Sequence, residues 1–364
     1  MTRQRSIRCV FMRGGTSRGP FLMASDLPAD PATRDAVLLR IMGSPDARQI
    51  DGLGGATTVT SKVAIVSPSQ RPDADIDYLF AQVDIDQNKV DTAPTCGNML
   101  AGVAAFAIEE GLVSATPGTT ELVVHNVNTG SLIDAVVRTP DGYVTYEGDC
   151  AIAGVPGTAA PIDLRFRNIS GSKTGALLPT GNLRDIIDAV EVTCFDAAMP
   201  MVLANAASFG LTACEANDEI TANSVFMAKM QSIRHQAGKL MGLGDVTESV
   251  IPKFGIVAPP RNGGHFSSRY LTPWQCHPAY AVSGSICASA CAAMPGTVVA
   301  DVVKADNRFP NVVEIEHPSG SIEVSLKTTG SGDQFEVISG GALRTARRLM
   351  DGNVYVPASV WPAT

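Results

Sequence analysis

The sequence has no apolar run long enough to cross a membrane. It has no CxxC pair and no HExxH, and its five histidines (His125, His235, His265, His277 and His317) lie far apart, so the usual spacings of a metal site are missing. The expectation is a chain that holds no metal. Positive charge is in deficit: 28 Lys and Arg stand against 36 Asp and Glu, a formal net charge of -8. That balance argues against nucleic acid or an anionic membrane as partner, although a local cluster of donors can still hold a small anion. The basic start, "MTRQRSIRCVFMRGG", has no apolar core and does not read as a signal peptide. Eight scattered cysteines in a chain of this size read as reduced thiols of a cytoplasmic protein, not as a disulfide framework.

What is present points to a folded chain of two parts. Its 364 residues exceed one ordinary core, and 45% hydrophobic against 18% charged residues fits a packed globular protein. Four segments recur in order at offsets of 187 to 192 residues. "SKVAIVSP" from Ser61 returns as "PKFGIVAP" from Pro252, and "CGNMLAGVAAFA" from Cys96 as "SGSICASACAAM" from Ser283. "TGSLIDAVV" returns as "SGSIEVSL", and "YVTYEGDCAIAG" as "FEVISGGALRTA". A shared order at a nearly constant offset indicates duplication. Two similar α/β (α+β) domains are expected, 1–184 and 185–364, joined near 182–191, with terminal strands free to cross between them.

Short alternating runs bounded by Gly, Pro, Asn and Asp read as strands in both halves: "KVAIV", "LFAQVDI", "ELVVHNV", "LIDAVV" and "YVTYEG", then "MVLANA", "FGIVA", "VVEIEH", "IEVSL" and "FEVISG". "DPATRDAVLLRIMG" reads as a helix capped by Asp30 and closed by Gly43, with "TANSVFMAKMQSIRHQAGKLMG" as its counterpart. The segments 99–108 and 286–293 have almost no polar face, so each should be a helix buried on nearly all sides. The first N–H groups of such helices need partners, and two such mouths would trap carboxylates.

"MRGGTSRG", "GGATTVTSKVAIV", "APTCGNMLAGVAAFA", "HPAYAVSGSICASA" and "IEHPSG" together resemble the 2-methylaconitate isomerase/4-oxalomesaconate tautomerase (PrpF-like) family. The resemblance spans both halves. It implies the diaminopimelate epimerase-like fold, in which each domain wraps a twisted, mainly antiparallel sheet around a central apolar helix, with the active site in the cleft between domains. It also implies cofactor-independent proton transfer on small unsaturated polycarboxylates, as in the breakdown of aromatic acids.

Read singly, Lys62 is an ordinary surface charge and Cys96 an ordinary packing thiol. A helix N-terminus favours a thiolate, and partial desolvation favours a neutral amine, so both suit acid/base work. The family motif puts the catalytic pair at Lys62 and Cys96. "RGGTSRG" lacks the ending of a phosphate loop and reads either as a tight turn or as a carboxylate-binding turn, with Thr16 and Ser17 donating and Arg18 supplying a fork. Gly97, Asn98, Ser283, Gly284 and Ser285 offer donors at the two mouths. Lys253, the repeat partner of Lys62, reads equally as a structural group and as a carboxylate ligand. Arg269 and His317 are weaker candidates, His317 because it also suits a turn.

Epimerases of this fold use two opposed cysteines, whereas the position matching Cys96 in the second half is Ser283. A hydroxyl is too weak an acid to replace a thiolate. The reading is therefore an isomerase that shifts a proton along a conjugated tricarboxylate such as 4-oxalomesaconate, with 2-methylaconitate as the other candidate substrate. An amino-acid racemase lacks its second thiol here, and a non-catalytic carboxylate-binding protein would not need both Lys62 and Cys96. Self-association as a homodimer is left open.

Overall fold

The structure is a computed structural model that describes residues 4–93 and 95–362. Pro94 of the "APTCGN" motif and the first three residues of the expected first domain lie outside the described residues, as do the last two of the second. The chain divides into two compact units, 1–164 with 344–364, and 165–343. The junction expected near 182–191 falls inside the second unit, and the C-terminal segment belongs to the first.

In the first unit the strands are β1 (Gln4–Gly14), β2 (Ser17–Met23), β3 (Lys62–Pro68), β4 (Ile76–Val83), β5 (Val90–Asp91), β6 (Gly118–Asn126) and β7 (Leu132–Thr139). Helix α1 (Pro31–Met42) follows β2, and α2 (Gly97–Glu109) follows β5. Strand β8 (Ile162–Arg167) runs across the first point of division. The second unit continues with β9 (Asp185–Ile187), β10 (Val190–Asp196), β11 (Pro200–Asn205), α3 (Asn217–Ala222), α4 (Ser224–Leu240), β12 (Lys253–Ala258), β13 (Phe266–Leu271), α5 (Val282–Ala293), β14 (Val312–His317) and β15 (Gly320–Thr329). Strand β16 (Glu336–Arg344) crosses the second point of division, and β17 (Ala346–Pro357) closes the chain.

The duplication is visible in strand pairing. In the first unit β1 and β2 are antiparallel, β2 and β3 parallel, β3 and β4 antiparallel, β4 and β6 parallel, and β6 and β7 antiparallel. In the second unit β10 to β15 repeat this sequence of pairings step for step. The helices take the parallel crossovers, as parallel pairing requires. Strand β17 pairs with β1 along its length and so completes the first unit's sheet.

Each sheet wraps around its second crossover helix. Helix α2 touches β1, β2, β3, β4, β7 and β17, and every residue from Met99 to Ile108 is buried. Burying a side chain such as Leu100 or Phe106 contributes roughly 1.5–3 kcal/mol. Helix α5 lies likewise among β10, β11, β14 and β15. The opposite sheet faces carry the amphipathic helices: α1 over Ile7, Leu22, Val63 and Ile65, and α4 over Val192, Val202, Phe254 and Ile256.

Local chemistry sets the boundaries. Asp30 caps α1 by accepting from Thr33 N–H at 2.9 Å, and Gly43 ends it at φ 79°. The helix expected over 221–242 is broken: Asn223 ends α3 and caps α4, its Oδ1 accepting from Phe226 N–H at 3.0 Å. "YVTYEG" is not a strand. Gly142 turns at φ 78°, and the segment makes only scattered backbone bonds, from Thr145 N–H to Arg138 and from Ala160 N–H to Tyr146.

Candidate active site

In the first unit the candidate residues gather at the N-terminus of α2. Cys96 is the N-cap, extended at φ -136° and ψ 102°, and no side chain caps the helix. The orphan N–H groups of the first turn therefore point into the mouth. Cys96 is nearly enclosed, with 9% of its surface exposed. Its carbonyl accepts from Tyr78 Oη at 3.2 Å.

The "RGGTSRG" segment is the β1–β2 hairpin turn, and it packs on this first helical turn. A Cβ at Gly14 would press on the carbonyls of Asn98 and Met99, and Gly15, at φ 50°, lies against the Asn98 side chain. Only glycine allows that approach. Thr16 Oγ1 accepts from Asn98 Nδ2 at 2.9 Å. Ser17, opposite Gly14, is buried, and its Oγ has no hydrogen-bond partner. An unpaired buried hydroxyl is costly, and this one sits on the face that meets α2.

Lys62 begins β3 on the same face. Its neighbours Val63 and Ile65 turn towards α1, so Lys62 and Ala64 turn towards α2. Lys62 Nζ donates to Gln82 Oε1 at 2.7 Å and lies 4.9 Å from the centroid of the Phe80 ring. Gln82 stands opposite Lys62 in register, and its Nε2 donates to the Ser61 carbonyl at 2.9 Å, which fixes the amide's orientation. Among the described residues no carboxylate pairs with Lys62. Gly19 brings β2 close: a Cβ there would strike the Lys62 carbonyl.

Gln82, Asn126 and Asn128 are positioning residues that the sequence did not reveal. Asn128 accepts from Phe80 N–H at 2.8 Å and donates to the Thr92 carbonyl at 2.7 Å, and Asn126 donates to Thr95 Oγ1. They anchor the segment that delivers Cys96. The "N-V-N" spacing at the end of a strand, just before a Thr-Gly turn, is the signal that could have found them.

Arg18 is placed differently. Strand alternation turns it to the face opposite Ser17 and Gly19, where it lines a groove with Arg13 and Arg347.

The second unit has its own helix mouth. Ala281 caps α5 without a side-chain bond, and Ser283 is half-buried at the second helical position. Gly284 is buried, and a Cβ there would strike the Tyr270 ring. Ser285 Oγ donates to the Val282 carbonyl at 2.8 Å, so its hydroxyl is already engaged. Lys253 begins β12, as Lys62 begins β3. Burial, and then the charge of Arg234, bring its pKa down to about 8. Arg234 is itself buried and held by the Ser249 and Val246 carbonyls, each at 3.0 Å. His277, just before α5, accepts from Ala279 N–H at 3.0 Å, and burial, with a smaller effect from Lys253, lowers its pKa.

His317 Nδ1 accepts from Ser319 N–H at 3.2 Å and so organises the β14–β15 turn, while Ser319 Oγ donates to the Pro278 carbonyl. Arg269 lies on the sheet face away from Lys253, opposite Ile256, and donates from Nε to the Glu215 carbonyl at 2.7 Å. The structure thus gives Arg269 the work of bracing the loop before α3.

The whole chain has close relatives. It is 49% identical over 351 residues to the (4E)-oxalomesaconate Delta-isomerase of Novosphingobium sp. (strain KA1), covering 96% of this chain and 98% of that one. It is 45% identical over 361 residues to the 4-oxalomesaconate tautomerase of Pseudomonas putida, covering 98% of each. The crystal structure of methylitaconate-delta-isomerase superposes with a TM-score of 0.90 at 38% identity, over 99% of this chain and 98% of that one. With the PrpF protein family model matching residues 4–357 as well, the chain belongs to the PrpF family and is an isomerase.

Proposed function

We propose that the protein shifts a proton along an unsaturated tricarboxylate, with 4-oxalomesaconate as the substrate, and that it needs no cofactor. The observation that carries this reading is the α2 mouth. One amine, Lys62, and one unpartnered buried hydroxyl, Ser17, lie on the sheet face that meets α2, and one thiol, Cys96, stands at that helix's uncapped N-terminus. The helix N–H groups and Ser17 suit a substrate carboxylate.

Lys62 in its neutral form takes a proton from the allylic carbon. The electron pair left behind spreads through the conjugated system as a dienolate, whose negative oxygen the mouth's donors stabilise. Protonation at the far end of the system, from Lys62 or from Cys96, completes the isomerisation with no net change in protons or electrons. Gln82 steers Lys62, and Asn98 holds the Thr16 turn. In the second unit Lys253, Ser283 and Gly284 at the α5 mouth suit a carboxylate by the same logic. Ser283 in place of a cysteine favours transfer on one face over two-faced stereoinversion.

The test is a substrate screen. 4-Oxalomesaconate and 2-methylaconitate are followed by ultraviolet absorbance, with the products identified by NMR. Turnover of 4-oxalomesaconate is expected to exceed that of 2-methylaconitate by tenfold or more. The opposite order would move the assignment to methylaconitate, and α-proton exchange in free amino acids would point to a racemase.

A further inference from the structure

The groove on the outer face of the β1–β2 hairpin carries an unusual charge pattern. Arg18 stands directly opposite Arg13, and Arg13 directly opposite Arg347, so three arginines form one row across β2, β1 and β17. Directly opposed residues have Cβ atoms about 5 Å apart, and like charges in that relation are destabilising. A protein of net charge -8 has carboxylates to spare, yet none pairs with this row among the described residues.

The acids beside Arg348, which also lines the groove, are engaged by arginines outside the row. Arg348 takes Glu109 at 2.8 Å, Glu110 at 3.0 Å and Asp351 at 2.8 Å, and Arg8 takes Glu110 at 2.8 Å. Glu147 lines the groove but is exposed and makes no ion pair with the row. Arg13 is fixed in place: its Nη1 donates to the Gly15 carbonyl at 2.8 Å and to the Thr345 carbonyl and hydroxyl at 3.1 and 3.0 Å. Burial, and then the charge of Arg347, lower its pKa, as expected of a cation without a counter-charge. Arg18 and Arg347 flank it with exposed guanidinium groups, and the groove they line has a volume of about 690 Å³.

We propose that this row is a binding site for a compact oxyanion with two or more negative charges, a phosphate group or a polycarboxylate, gripped by Arg13 from below and by Arg18 and Arg347 from the sides. Planar guanidinium forks match phosphate and carboxylate oxygens bidentately, and the anion relieves the repulsion that the row otherwise carries. The site lies on the face of β2 opposite Ser17, so it stands independently of the proton-transfer chemistry.

The test uses the full chain in a low-salt chloride buffer, with inorganic pyrophosphate and citrate as separate probes, followed by calorimetric titration and thermal shift. Arg347→Gln removes one fork and leaves turnover at the wild-type level. It should weaken binding of the favoured probe by roughly tenfold or more, as expected for loss of a charge-assisted bond. Arg347→Lys, which keeps the charge, should lose less. Without probe, Arg347→Gln should melt at or above the wild-type temperature, and saturating probe should reverse that order. A tenfold preference for pyrophosphate names a phosphoryl ligand, and the reverse a polycarboxylate. Equal affinity of wild type and Arg347→Gln for both probes, or no saturable binding below about 10 mM, overturns the proposal.

Discussion

Replacing Lys253 by Met should stabilise the second unit at neutral pH, and should do so less as the pH rises. Lys253 is the first residue of β12, and burial followed by the charge of Arg234 takes its pKa from 10.5 to about 8. The unfolded chain holds its ammonium proton up to the ordinary lysine value of about 10.4. Folding at pH 7 therefore carries the cost of a charged, partly desolvated amine. As the pH passes 8 the folded form sheds its proton while the unfolded form keeps it, so stability rises towards pH 10. The full displacement corresponds to about 3 kcal/mol at 1.36 kcal/mol per unit, and residual solvent contact reduces this to roughly 1–3 kcal/mol. Urea unfolding of wild type and Lys253→Met at about pH 7 and about pH 9.5 reads the effect directly, with the advantage at the higher pH less than half that at the lower. A variant that is less stable by the same margin at both pH values would show a paired, stabilising ammonium and refute the reasoning.

Three further outcomes are expected. Ser17→Ala should leave the melting temperature unchanged or slightly raised, because the lost hydroxyl has no protein partner. It should raise KM roughly tenfold through the lost contact to a carboxylate; a large drop in melting temperature with KM unchanged would make the hydroxyl structural. Gly19→Ala should lower both stability, by roughly 1–3 kcal/mol, and turnover, since its Cβ strikes the Lys62 carbonyl; wild-type kinetics with a wild-type melting curve would show that β3 yields without moving the amine. Dialysis against a chelator should leave turnover intact, and activity lost that way and restored by one divalent ion would contradict a metal-independent reaction.

The features readable from the sequence were those set by composition over a whole element. Helices α2 and α5 announce themselves because residues such as Met99 to Ile108 have no polar side to offer solvent. The Lys62 and Lys253 strands were legible through duplication, since both occupy the first position after a parallel crossover. Facing was harder to read. The sequence places Thr16, Ser17 and Arg18 in one donor cluster, but strand alternation turns Ser17 inward and Arg18 outward. Arg269 failed to join the second-unit cluster for the same reason, as it lies on the α3 and α4 side of β13. Gln82 and Asn128 were invisible because their roles depend on strand register and on a bond spanning 48 residues. The terminal strand β17 pairs with β1 from the far end of the chain, which local periodicity does not encode.

The most direct test of the central claim is Lys62→Met assayed on 4-oxalomesaconate, with circular dichroism and a melting curve to establish that the fold is kept. Lys62 is predicted to be the base that removes the allylic proton, so turnover should fall by roughly a thousandfold or more, and Cys96→Ser, assayed alongside, should retain more activity if Lys62 alone shuttles the proton. A folded Lys62→Met variant that turns over within tenfold of wild type would contradict the account.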